Sequence, residues 1–235
     1  MKKVDAVNKL LYSILFLCVI GAIGILIVFV PKHLSAKETP QLEQTEVVSN
    51  QAEVVSDLKP YSKTLTSGHY VVGLDIPSGT YTLTAKEGNG NVYSTNAYDG
   101  GLNEIMGTSG EYVKEFQNAV LPAGEVLSIS DVEIKIKSDG ADIDGMIERE
   151  NPAKTQKNLS SGNYTAGIDF DAGAYVITAT KGKGNVYSSN SFRGINAIMA
   201  SEPDDMSIKE FKNVLLEDGD TLTISDVTVR IKPSK

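Results

Sequence analysis

An internal repeat constrains this 235-residue chain more than any other feature. Ser67-Gly68-His69-Tyr70-Val71-Val72-Gly73-Leu74-Asp75-Ile76-Pro77-Ser78-Gly79-Thr80-Tyr81 returns as Ser161-Gly162-Asn163-Tyr164-Thr165-Ala166-Gly167-Ile168-Asp169-Phe170-Asp171-Ala172-Gly173-Ala174-Tyr175. At the same offset, Gly88-Asn89-Gly90-Asn91-Val92-Tyr93 matches Gly182-Lys183-Gly184-Asn185-Val186-Tyr187. After small changes in spacing, Asn103-Glu104-Ile105-Met106 corresponds to Asn196-Ala197-Ile198-Met199, and Lys114-Glu115-Phe116 to Lys209-Glu210-Phe211. Both copies close alike, on Leu127-Ser128-Ile129-Ser130-Asp131-Val132 and Leu222-Thr223-Ile224-Ser225-Asp226-Val227. Whatever one copy folds into, the other must be able to fold into as well.

Each copy has about 75 residues, 64–138 and 160–235. That length buries only a modest core. Thr80-Tyr81-Thr82-Leu83-Thr84-Ala85 and Val132-Glu133-Ile134-Lys135-Ile136-Lys137 alternate apolar with polar side chains, the pattern of half-buried strands. Turn-forming residues punctuate them: Pro77-Ser78-Gly79, Gly88 to Asn91, and Ser130-Asp131, which reads as a hairpin. Six or seven short strands per copy predict an all-β chain with two tandem small domains, each a β-sandwich or partly open barrel.

The first thirty residues are of another kind. From Leu10 to Val30 no side chain is charged. About twenty apolar residues match the roughly 30 Å hydrocarbon core of a bilayer, which predicts a transmembrane helix over 10–30. Lys2, Lys3 and Lys9 place residues 1–9 in the cytoplasm and everything beyond the helix outside. A cleaved signal peptide is the competing reading, but the run is too long and Leu34-Ser35-Ala36 is a poor cleavage site. Cys18, the only cysteine, lies within the run, so the exported part has no disulfide; that favours a bacterial envelope. Residues 31–63, rich in Glu, Gln, Ser and Thr, read as a flexible stalk, and 139–159 as a solvated linker.

Charge narrows the partners. The net charge is −8; three lysines less Asp5 make residues 1–9 +2, so −10 falls on the remainder. An acidic surface repels phosphate polymers, which argues against nucleic acid. Asp142, Asp144 and Gly145 faintly suggest a calcium loop, but Asn151 stands where its last carboxylate is needed, so no metal is expected there.

The pattern Gly-x-Asp-Ile-Pro-x-Gly-x-Tyr, followed by Gly-x-Gly-Asn-Val, resembles an uncharacterised β-rich repeat of surface and membrane-anchored proteins from Gram-positive bacteria. The likeness covers both copies. The second departs from it with Phe170-Asp171 in place of Ile-Pro. The resemblance implies an envelope location and carries no catalytic residues with it.

Catalytic chemistry finds little footing. His33 lies at the membrane edge, and His69 is replaced by Asn163 in the second copy. The repeated carboxylates Asp75/Asp169, Glu115/Glu210 and Asp131/Asp226 formally allow a glycosidase pair, but acids at turns ordinarily cap backbone amides. Gly88-Asn89-Gly90 and Gly182-Lys183-Gly184 lack the strand-to-helix setting of a phosphate cradle. The expectation is therefore a non-enzymatic interaction module without cofactor, with a structural spacer or assembly component as the alternative and an envelope hydrolase behind both. Tyr70, Tyr81, Tyr93 and their partners Tyr164, Tyr175, Tyr187 serve either as core or as a stacking face. Asn91, Tyr93, Asn185 and Tyr187 are the preferred binding residues, each pair following glycines that let backbone approach a partner closely. That partner would be a cell-wall or envelope protein ligand. If the module binds, exposed side chains should match between the copies; if it only spaces, only the core should.

Overall fold

The computed structural model describes residues 57–235. The expected cytoplasmic segment 1–9, membrane helix 10–30 and stalk up to residue 56 lie outside the described residues, as do Cys18 and His33. The described residues are all β, without a helix. The first copy holds β1 (Lys59–Leu65), β2 (Gly68–Val71), β3 (Ser78–Ser94), β4 (Asn103–Gly107), β5 (Glu115–Leu121), β6 (Val126–Ile129) and β7 (Val132–Asp142). The second holds β8 (Lys157–Leu159), β9 (Gly162–Thr165), β10 (Gly173–Ser188), β11 (Asn196–Ala200), β12 (Glu210–Leu216) and β13 (Thr221–Pro233).

Pairing within the copies is antiparallel and follows one plan. In the first, β3 carries β4 and β5 along one edge and β6 and β7 along the other; β2 flanks β6 and β1 flanks β7. In the second, β10 pairs with β11, β12 and β13, with β8 and β9 on the outer edge of β13. A parallel bridge between Gly68 of β2 and Lys212 of β12 joins the copies, so all thirteen strands form one hydrogen-bonded sheet.

The long central strand bends in its middle. Gly88 has φ +73°, and a Cβ there would stand 2.7 Å from the Asp131 carbonyl oxygen. Facing it, Asp131 has φ 62°. Gly182 (φ +78°, 2.8 Å from Asp226 O) and Asp226 (φ 61°) repeat the arrangement. The pairing register shifts at these places, as a β-bulge requires. An inserted residue reverses which side chains point inward. Tyr81, Leu83 and Ala85 are buried before the bend and Val92 after it; opposite them, Leu127 and Ile129 are buried before Asp131, and Val132, Ile134 and Ile136 after it. All nine contribute to one hydrophobic core, so both halves of the bent sheet cover the same interior. The second copy has its own core, with Tyr175, Ile177, Ala179 and Val186 in the corresponding places.

Three turn assignments are corrected by this geometry. Gly88 to Asn91 is no turn but the interior of β3, and Ser130-Asp131 is no hairpin, since β6 and β7 both run antiparallel to β3. Facing positive-φ residues bend a paired ribbon without reversing it. Pro77-Ser78-Gly79 leads into β3, and the chain turns instead at Gly73–Asp75, where Gly73 has φ +88°. The Asp75 carboxylate closes that turn by accepting the Val71 N–H at 2.8 Å. Asp169 does the same for the Thr165 N–H at 2.7 Å.

Segment boundaries move too. Lys59–Lys63, expected in the stalk, belong to β1, which pairs with β7; β7 runs to Asp142 and β8 starts at Lys157. The connection between the copies is largely exposed, as expected, but it is held at several points. Ile147 N–H donates to Gly73 O at 2.9 Å, and Arg149 forms a 2.5 Å ion pair with Asp75, both side chains 9% exposed. The Asn151 amide donates to Ala174 O (2.7 Å) and Ser234 O (2.9 Å), and Ala153 is buried in the second core. Asp142 accepts from Gly145 N–H and Asp144 pairs with Lys59. Their partners are protein groups.

Candidate functional site

The bend decides what the surface of each copy displays. Under unbroken alternation from Tyr81, Tyr93 would point into the core. The inserted residue turns Asn91 and Tyr93 outward and Val92 inward. Across the β3–β4 ladder, Asn91 faces Ile105 and Tyr93 faces Asn103. The second copy builds the same square, with Asn185 opposite Ile198 and Tyr187 opposite Asn196. Tyr187, Ile105 and Ile198 are large side chains left exposed, and Asn91, Asn103, Asn185 and Asn196 are exposed as well. Tyr93 is half-buried. An aromatic plane and an apolar branch flanked by two amides can stack on a flat group and hydrogen-bond its edges at once.

The four residues preferred from sequence thus lie in two equivalent patches, not in one. Asn103, Ile105, Asn196 and Ile198 were missed as site residues, although the repeat contains them. Their signal was the match itself, combined with the alternation that puts them on the outer face. The glycines before the first four do not open the backbone to a ligand. Gly90 and Gly184 do permit close backbone approach, but what approaches is the Ser130 or Ser225 carbonyl of the same copy.

Four other tyrosines are structural. Tyr70, Tyr81 and Tyr175 are buried and Tyr164 half-buried. Each donates its hydroxyl to the carbonyl four residues earlier: Thr66 (2.8 Å), Pro77 (2.6 Å), Ser160 (3.0 Å) and Asp171 (2.6 Å) respectively. Burial pushes Tyr70 and Tyr175 up to about 12 and raises Tyr81 as well. Of the repeated carboxylates, Asp75 and Asp169 accept backbone N–H groups. Glu210 accepts from Thr178, and burial raises Asp131. Among the described residues, no group of three or more His, Cys, Asp or Glu could hold a metal ion.

His69 occupies the join between the copies. Its Nε2 lies 2.7 Å from the Gly194 carbonyl oxygen, an acceptor, so Nε2 carries the hydrogen and Nδ1 accepts from the Ser128 hydroxyl at 2.8 Å. The Phe211 ring lies 5.1 Å away, tilted at 59°. Lys212 N–H donates to Ser67 O at 3.0 Å, and a Cβ at Gly68 would meet the Lys212 backbone oxygen at 2.8 Å. Burial, followed by the nearby Arg193 charge, lowers the His69 pKa, while the Gly194 bond opposes them. Beside this contact an open cleft of about 670 Å³ runs between the copies, lined by Glu87, Asp131, Glu133, Asp204, Asp205 and Glu210 among others. Asp204 is held down to about 2, first by its hydrogen bond from Lys183, then by that from Ser207.

Compared with known families and curated proteins, the sequence matches no family model and no curated protein.

Proposed function

We propose that this chain is a membrane-anchored, non-enzymatic interaction module of a bacterial cell envelope. A helix over residues 10–30 anchors it with the amino terminus inside. Two small β domains, each of sandwich or partly open barrel type, present like patches to the outside. The observation that carries the reading is the matched outward-facing square: Asn91, the half-buried Tyr93, Asn103 and Ile105 in one copy and Asn185, the exposed Tyr187, Asn196 and Ile198 in the other. A part that only positions something has no need to repeat exposed amides and aromatic rings. Two like patches on one chain favour a ligand that itself repeats, such as a wall polymer or an arrayed envelope protein, because the second contact forms at high effective concentration. The acidic balance of the chain argues against nucleic acid.

The experiment has two arms. Protease added to intact cells should remove everything beyond Pro31 and leave a short membrane fragment, whereas a protected carboxyl-terminal copy contradicts the orientation. The full chain should capture cell-wall fragments or envelope protein, and retain less when a patch tyrosine is replaced. A second reading, a spacer or assembly component, is favoured by one observation: the connection between the copies is docked at Arg149 and Asn151.

A further inference from the structure

The contact between the copies uses two different surfaces, and each copy carries both. The first copy offers an edge: β2, with His69 and Gly68, beside Ser128. The second copy offers a complementary surface: β12 with Phe211 and Lys212, and the loop carbonyl of Gly194. The equivalent edge in the second copy is β9, with Gly162 and Asn163, beside Thr223; the equivalent complementary surface in the first is Phe116, Gln117 and Gly101. Among the described residues nothing covers either of these. β2 is buried throughout, whereas along β9 Asn163 is exposed and Gly162, Tyr164 and Thr165 are half-buried. Phe211 is 4% exposed, but Phe116 is only partly buried and Gln117 is exposed.

We propose that the chain associates head to tail with a second copy of itself, β9 of one molecule taking β5 of the next as β2 takes β12 within the molecule. The hydrogen-bonding pattern is already set for it. Ser128 donates to His69 Nδ1 and leaves Nε2–H for Gly194 O. Thr223 Oγ1 donates to Asn163 Oδ1 at 2.8 Å, and so leaves the Asn163 amide N–H pointing outward as the equivalent donor. Its acceptor would be Gly101 O of the neighbouring molecule. The loop carrying that carbonyl is fixed in the same way in both copies: Leu215 N–H donates to Arg193 O at 2.7 Å, and Val120 N–H to Gly100 O at 2.8 Å. Leu102 N–H and Ile195 N–H are likewise each held by a serine hydroxyl, Ser94 and Ser188.

Gly162 points the same way. At Gly68 a side chain would collide with the Lys212 backbone, so glycine is needed there by the strand that crosses it. At Gly162 the nearest atoms are only the tip of its own Tyr164 ring, at 3.2 Å, and φ is not in the left-handed range. A missing side chain at an unpaired edge leaves room for an incoming backbone. Because the two surfaces differ, the contact is heterologous: it adds molecules in a row and does not close into a symmetric pair. The inference does not depend on what the Asn–Tyr patches bind, and ligand capture can fail without touching it.

The test uses the full chain in mild detergent, with Cys18→Ser removing the only native thiol. One preparation carries Ser160→Cys and another Gln117→Cys, both exposed and equivalent to Thr66 and Lys212, which line one cleft where the copies meet. Position 162 keeps its glycine, because a side chain there would block the incoming backbone. A short flexible bismaleimide added to the mixture should give a mixed dimer, and a chain carrying both cysteines should give a ladder of oligomers. Ser160→Cys mixed with Lys137→Cys, on an exposed strand position away from this surface, sets the background. Mixed dimer no greater than that background overturns the inference. Asn163→Asp, introduced with Ser160→Cys, keeps the Thr223 bond but removes the outward donor and sets a charge against the carbonyl. It should lower cross-linking severalfold with an unchanged melting curve; undiminished cross-linking overturns the proposed pairing.

Discussion

His69 Nε2 and the Gly194 carbonyl oxygen, 125 positions apart in sequence, meet at 2.7 Å and lock one copy of the repeat against the other. The imidazole is neutral in this arrangement, and burial is the main cause of its lowered pKa. As pH falls the unfolded chain therefore takes up the proton first, near the ordinary value of 6.5. The stability that the neutral ring contributes is present above that value, and is lost as pH falls through it toward the lower folded value. Thermal melts of wild type and His69→Asn should diverge between about pH 7 and pH 5, with the wild type losing more. Asparagine keeps a donor and an acceptor but does not titrate, and acidic neighbours such as Glu210 are common to both proteins. Parallel pH profiles would contradict the assignment.

Arg149 ties the connection to the first copy. Replacing it with methionine leaves the Asp75 carboxylate buried, with the Val71 N–H as its remaining side-chain bond. Removing one partner of a buried ion pair costs about 3 kcal/mol. Arg149→Met should lower the denaturation midpoint by a corresponding amount, and adding Asp75→Asn should restore part of it. Denaturant titration of the three variants measures this.

The bend should be the position least tolerant of a methyl group. Gly88→Ala forces a side chain into left-handed backbone and against the Asp131 carbonyl, at a cost of about 2 kcal/mol or more. Gly110→Ala, where nothing lies within 4 Å, should change stability by less than about 0.5 kcal/mol. Equal effects at the two sites would remove the argument that the bend sets the outward face.

Tyr81→Phe keeps the ring but orphans the Pro77 carbonyl, and should destabilise by about 1–2 kcal/mol. Tyr175→Phe, which orphans the Asp171 carbonyl, should behave alike. Tyr93→Phe should be close to neutral in the same denaturation assay, since its ring stands on the outer face.

Much of the fold was legible because the repeat states it twice and strand periodicity is local: Tyr81, Leu83, Ile134 and Ile136 fall inside as their alternation requires. The bend was not legible. Glycine, serine and aspartate are the residues of a turn, and only the register against the facing strand distinguishes a reversal from a bulge. Nor was the docking of the copies. His69 replacing Asn163, and Lys212 replacing Gln117, look like ordinary drift between repeats until Gly194 and Phe211 are seen beside the imidazole. The glycines before Asn91 and Tyr93 suggest close backbone approach to a partner, whereas the outward direction of these two side chains comes from the change of phase that the glycines permit.

The matched patches are tested most directly by a double-mutant cycle on capture of cell-wall fragments by the full chain. Tyr93→Ala and Tyr187→Ala singly should each weaken retention in part. The two together should weaken it by more than the sum of the separate losses, because simultaneous engagement is what raises retention. Undiminished capture by a folded double variant would contradict the account and leave the spacer or assembly reading in front.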